Sequence, residues 1–347
     1  MELITIIFLS SGLLLGWSLG ANDAANVFGT AVGTKMVRFT TAAWICAIMV
    51  TLGAVVSGAG ASHTLGKLGS ITALGGAFTV ALSAAVTVYW MTKASLPVST
   101  SQAIVGAIIG WNLFSNTPTD PSVLSKIVGT WFLCPILSAF VAVGLYRLVN
   151  YVLHHAKLGL FQLDNYTRIG LLLAGAFGSY SLGANNIANV MGVFVPQSPF
   201  ESFYIFGIEF SSTAQLFLIG GIAIGVGVFT YSRRVMMTVG DGLMTLTPVL
   251  AWVVVMAHSI VLFLFASSGL KEVLDAAGLP SLPLVPVSSS QAVIGAVIGL
   301  GLYKKTPVKW GVAMRIVGGW FSTPIISMIV CGILLFFVKN LFQQQVV

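Results

Sequence analysis

The sequence predicts an all-α polytopic membrane protein made of two repeats that cross the membrane in opposite directions. Three observations predict it. The first is composition: of 347 residues, 57% are hydrophobic and only 7% are charged, against roughly 25% charged in soluble domains. The second is run length, since the apolar stretches approach or exceed the roughly 20 residues that cross a bilayer as helix. The third is that the chain repeats itself. GANDAANVFG (20–29) returns as GANNIANVMG (183–192), PVSTSQAIVGAIIG (97–110) as PVSSSQAVIGAVIG (286–299), and IVGTWFLCPILS (127–138) as IVGGWFSTPIIS (316–327), in the same order.

The spans follow in order. In the first half, apolar runs mark 3–33, 41–61, 71–92, 97–114 and 127–147. In the second they mark 166–196, 203–231, 236–265, 284–303 and 315–338. Residues 3–33 and 236–270 are long for one straight crossing. Period-two alternation is absent, which excludes a membrane β-barrel. The first run lacks a basic n-region and an A-x-A-like site, so it reads as a retained span and not as a cleaved signal. Cys46, Cys134 and Cys331 fall inside apolar runs with no disulfide or metal spacing and read as small core residues. The chain divides into a first repeat (1–150), a cytoplasmic connector (151–165) and a second repeat (166–347).

Charge gives the orientation. A net charge of +7 would suggest nucleic acid in a soluble protein; here it reports topology, because cytoplasmic loops collect Lys and Arg. With both termini outside and five crossings per half, the cytoplasmic loops hold twelve of the sixteen basic residues, among them Lys35, Arg38, Lys157, Arg233, Lys304 and Lys305. An odd number of crossings per half inverts the second repeat, an architecture of secondary transporters.

The motifs carry the chemistry. Asp23 lies about 20 apolar residues into the chain, and a carboxylate at that depth costs several kcal/mol unless paired or hydrated. No Lys or Arg is close in sequence, which leaves a bound cation, a proton or a distant base. Asn22, Asp23 and Asn26, with Asn185, Asn186 and Asn189 in the second copy, offer the oxygen ligands that a hard cation of the Na⁺ type takes, joined by carbonyls of an unwound turn between Gly20 and Gly29. The PVS segments read as helix starts, with Pro97 and Pro286 suited to a first turn. A helix that begins inside the membrane points bare N–H groups and a positive dipole end at its surroundings, a site for an oxyanion. Ser99, Thr100, Ser101 and Gln102 in one half, and Ser288, Ser289, Ser290 and Gln291 in the other, add hydroxyl and amide donors. No Lys or Arg stands in either motif, so bound cations supply the positive charge and couple the two fluxes.

GANDAAN with GANNIAN, and the paired PVS(S/T)SQ segments, resemble the signature sequences of the PiT family of inorganic phosphate transporters over nearly the whole chain. The resemblance implies broken or re-entrant helices at the motifs, about 10–12 transmembrane segments, cell-membrane localisation, a homodimer, and symport of inorganic phosphate with Na⁺ or H⁺ by alternating access. It assigns the six GAN residues above to the cation and the eight PVS residues to phosphate. The Asn-rich surroundings favour Na⁺ over H⁺. One departure is Asn186, where many members carry Asp. Sulfate or another tetrahedral oxyanion, or an anion channel, are the alternatives.

Other residues read plainly. Glu209 lines a cation path or pairs across helices, and Asp241 is an interface charge. His63 and His258 lack ligand-spaced partners. Trp131, Pro135, Trp320 and Pro324 are packing and kink residues. Neither a nucleophile triad nor a G-x-x-x-x-G-K-[ST] phosphate loop occurs, so the chain is not an enzyme and needs no cofactor beyond the coupling cation; its partners are phosphate, the cation and the lipid bilayer, and not nucleic acid.

Overall fold

The computed structural model describes all residues except 1–2, 70, 94–97, 157, 206, 240–243 and 245. Pro97, Lys157 and Asp241 lie outside the described residues. The described residues form thirteen α-helices. In the first half these are α1 (Leu3–Gly33), α2 (Phe39–Ser57), α3 (Ala59–Leu68), α4 (Leu74–Lys93), α5 (Thr100–Ser115) and α6 (Pro121–Ala156). In the second half they are α7 (Leu160–Met191), α8 (Ser212–Thr230), α9 (Ser232–Val239), α10 (Pro248–Ala266), α11 (Ser268–Ala276), α12 (Ser289–Lys304) and α13 (Trp310–Asn340). A 3₁₀ turn (Gly192–Gln197) and a small antiparallel hairpin, β1 (Phe203–Ile205) and β2 (Ile208–Phe210), join α7 to α8.

Each of the ten apolar runs contains helix, with extra breaks, although the 203–231 run opens with the hairpin and turns helical only at Ser212. Gly58 ends α2 and starts α3, and the long 236–270 stretch holds the end of α9 and then α10 and α11, which divide at the Ser267 cap. Among the described residues, seven helices are long and apolar enough to cross a membrane. Helices α5 and α12 have 16 residues each, about 24 Å at 1.5 Å per residue, shorter than a hydrocarbon core of about 30 Å.

Within the connector 151–165, α6 continues to Ala156 and α7 begins at Leu160; at 36 residues α6 is about 54 Å long and outreaches a hydrocarbon core. Two expectations are corrected. Glu209 lies on β2 opposite Tyr204, and not within a helical span. The backbone is helical straight through both GAN motifs, so the unwound turn expected there is absent. Gly20 and Gly183 serve close packing instead. A Cβ on Gly20 would run into the carbonyl of Ile224, and one on Gly183 into the carbonyl of Val50.

That pair shows how the molecule is held together. Contacts between elements come in matched sets: α1 packs on α8 as α7 packs on α2, α1 on α4 as α7 on α10, and α4 on α13 as α10 on α6. Helix α5 packs on α13 of the other half, as α12 packs on α6. A Cβ at Gly106 would meet the Pro324 carbonyl, and one at Gly295 the Pro135 carbonyl. Pro135 and Pro324 sit inside α6 and α13, and the two glycines let the PVS helices approach them directly. The matching extends to turns. Helices α5 and α12 both end in a left-handed residue, Asn116 (φ 57°) and Lys305 (φ 55°). Thr117 N–H then bonds the Asn112 carbonyl as Thr306 N–H bonds that of Gly301, a helix stop of the Schellman kind.

Candidate functional site

Each PVS motif folds as an N-capped helix start. Ser99 and Ser288, extended in backbone, accept hydrogen bonds from the N–H groups of Gln102 and Gln291, both at 3.4 Å. The carbonyls of Ser99 and Ser288 take the first intrahelical bonds, from Ala103 and Ala292. That leaves the N–H groups of Thr100 and Ser101, and of Ser289 and Ser290, without an intrahelical acceptor. Side chains crowd the same place. Thr100 Oγ1, Gln102 Oε1 and Gln291 Oε1 are buried with no hydrogen-bond partner. Ser290 is half-buried and shares a 3.0 Å contact with Ser288.

The GAN motifs meet these starts across the halves. Asn26 Nδ2 donates to Ser289 Oγ at 3.0 Å, joining the first GAN copy to the second PVS copy. Asn189 Nδ2 donates to Ser101 Oγ at 2.9 Å, joining the second GAN copy to the first PVS copy. Ser101 Oγ in turn donates to the Val287 carbonyl at 3.0 Å, and the Val287 N–H donates to Asn185 Oδ1 at 3.0 Å. Four segments far apart in sequence thus share one buried polar network.

The predicted cation residues divide into three kinds. Asp23 is 5% exposed and forms no ion pair among the described residues, so its charge has no protein cation to balance it. Asn189 Oδ1 is a buried oxygen with no partner, and Asn26, half-buried, directs its amide nitrogen to Ser289. Asn185 and Asn186 differ. Asn185 places its oxygen on Val287 and keeps a buried, unpartnered Nδ2, so it pins the segment before α12. Asn186 donates to the Leu182 carbonyl at 3.1 Å and accepts from Asn189 at 3.0 Å. An Asp there would set a carboxylate against that carbonyl. Asn22 lines a crevice with Ser18, Thr92 and Tyr231. Among the described residues no group of three or more His, Cys, Asp and Glu could hold a metal ion; the six GAN residues offer one carboxylate and otherwise neutral amides.

Two residues given no site role in the sequence also reach the network. His258 on α10 contacts Ser289 through Nε2 at 2.9 Å. Cys134 Sγ lies 3.8 Å from the Ser288 carbonyl. A lone histidine and a lone cysteine in apolar runs give no spacing signal, and only the tertiary packing brings them in. Trp131 and Trp320 flank the packed prolines as expected, and their indole N–H groups are buried without partners.

Comparison with known proteins bears on the family and the fold. A family model described as the phosphate transporter family matches residues 19–331 and 278–346. A protein of Methanocaldococcus jannaschii, by name a phosphate permease, is 25% identical over 315 residues, covering 90% of each chain. The sulfate permease CysP of Bacillus subtilis is 27% identical over 342 residues, covering 94% of this chain and 85% of its own. Among solved structures, one titled as the sodium-dependent phosphate transporter superposes with a TM-score of 0.75 at 23% identity, covering 97% of this chain and 99% of the other. That likeness establishes the fold.

Proposed function

The chain belongs to the phosphate transporter family, a family of transporters and not of enzymes, and from that premise we propose that it is a cation-coupled symporter of inorganic phosphate working by alternating access. The observation that carries this reading is the pair of cross-half hydrogen bonds, Asn26 to Ser289 and Asn189 to Ser101. Each joins a residue of the cation motif to a residue of the anion motif. A cation at Asp23 and an anion at the helix starts are then near neighbours in a buried, low-dielectric place, where opposite charges favour one another's binding. That mutual preference is the coupling free energy symport needs, and it is reciprocal.

The anion is held by the helix starts, with the bare N–H groups of Thr100, Ser101, Ser289 and Ser290 as donors. Phosphate suits the site better than sulfate, because the amide oxygens of Gln102 and Gln291 are buried without donors. A protonated phosphate oxygen can donate to such an acceptor, and sulfate at neutral pH has no proton to give. The cation is Na⁺, held by Asp23, Asn26 and Asn189 through neutral and anionic oxygens of the kind hard cations take; the solved relative's title names sodium dependence. The matched contacts of the halves support two inverted repeats rocking about this site.

Sulfate is the second reading, favoured by the sulfate permease relative. The test uses proteoliposomes with an imposed Na⁺ or H⁺ gradient, one at a time, and labelled phosphate. Uptake driven by Na⁺ and unaffected by a tenfold excess of sulfate is expected. Uptake that ignores both gradients, or that sulfate abolishes, overturns the coupling or the substrate respectively.

A further inference from the structure

The two PVS hydroxyls that meet a GAN asparagine, Ser101 and Ser289, are wired differently. In the first half, Ser101 Oγ accepts from Asn189 Nδ2 and gives its single proton to the Val287 carbonyl, so it has none left for a ligand. In the second half, Ser289 Oγ accepts from Asn26 Nδ2, and its remaining neighbour is the imidazole of His258, with Nε2 at 2.9 Å. His258 is fully buried on α10, and its Nδ1 has no partner.

The tautomer decides what Ser289 can do. If Nε2 accepted the serine proton, Nδ1 would carry an N–H buried with no acceptor, and orphaned buried N–H groups are rarer than under-satisfied acceptors. With the proton on Nε2, the ring donates to Ser289 instead. Both lone pairs of Oγ are then filled, by Asn26 and by His258, and the serine O–H is the one bond left to make. Ser289 is the first residue of α12, so that O–H sits beside the bare N–H groups of the helix start.

We propose that His258 is a positioning residue for anion recognition: its Nε2–H fixes Ser289 as a dedicated hydrogen-bond donor to a tetrahedral oxyanion. The proposal rests on reading the PVS helix starts as the anion site. It gives the second half a hydroxyl whose donor direction is fixed by a histidine, whereas the matched position of the first half, Thr100, has a buried hydroxyl with no hydrogen-bond partner.

Initial-rate uptake of labelled inorganic phosphate by the full chain in proteoliposomes tests it. Losing one hydrogen bond to a charged group corresponds to about a tenfold or larger change in apparent affinity. His258→Leu should raise KM about tenfold with kcat within about twofold, Ser289→Ala should do the same, and the double variant should be no worse than Ser289→Ala alone, since the ring acts through that hydroxyl. His258→Gln, whose amide nitrogen reaches the position of Nε2, should restore KM, and His258→Asn, whose shorter amide nitrogen mimics Nδ1, should not. If the Leu variant is not monodisperse, the Gln and Asn pair carries the test. Equal KM values for Gln and Asn, or a double variant whose effect is the product of the singles, overturn the proposal. Unchanged KM in both Ser289→Ala and Gln291→Ala overturns the anion-site reading beneath it.

Discussion

Asp23→Asn exchanges one oxygen for a nitrogen and removes the carboxylate of the two GAN motifs. Size and burial stay the same, so the fold should survive, while cation-driven phosphate uptake should fall at least about 100-fold, which corresponds to a loss of about 2.7 kcal/mol. Near-normal uptake by folded Asp23→Asn protein would remove Asp23 from the cation site. On the anion side, Gln102→Ala and Gln291→Ala should each raise the phosphate KM about tenfold, and unchanged KM in both would move the anion elsewhere. The segments that meet in the polar network were legible in the sequence because the motifs are doubled, and duplication of polar residues in an apolar chain is not something packing produces. Their roles were less legible. Asn185 and Asn186 look like Asn22 and Asp23 on paper, yet Asn185 holds Val287 and Asn186 holds Leu182 and Asn189. Hydrogen-bond direction is set by three-dimensional neighbours, and spelling does not record it.

The existence of the long helices was legible, α1 to its ends at 3–33, because apolar run length is a strong signal in a membrane protein; the ends of α6, and the hairpin ahead of α8, were not. The continuity of α1 and α7 through GAN was not. Glycines flanking a polar patch suggest unwinding, but here they admit a neighbouring backbone, and the two uses of glycine are the same in sequence. The same ambiguity surrounds Gly106 and Gly295. Each faces a proline-bearing helix of the other half so closely that a methyl group would strike backbone. Gly106→Ala and Gly295→Ala should therefore each destabilise the protein by about 1–3 kcal/mol or more, seen as a lowered unfolding temperature in detergent. Gly129→Ala, on α6 with open space around its would-be Cβ, should leave it unchanged or slightly raised. Equal unfolding temperatures for all three would show that the PVS helices are not seated on α13 and α6.

At the scale of the whole molecule, the reading of inverted repeats makes a directional statement. Pro118 and Pro307 follow the two left-handed helix stops and are both exposed. In intact cells, an impermeant maleimide should label Pro118→Cys from outside, and Pro307→Cys only after the membrane is opened; labelling of both from one side would contradict the inversion. The native cysteines are buried and should stay silent. Internal repetition was legible in the sequence, but which half supplies which partner was not, since α5 could as well have packed on α6 beside it. Its true seat, the Pro324 turn of α13, has a consequence for biogenesis. More than 200 residues separate Gly106 from Pro324, so at 5–20 residues per second the ribosome needs about 10–45 s to deliver the surface that α5 waits for. Until the last helix is inserted, the nascent first half lies in the bilayer with a polar helix start uncovered. A stop codon anywhere before α13 therefore leaves no working half-transporter, only a chain that quality control should recognise and degrade.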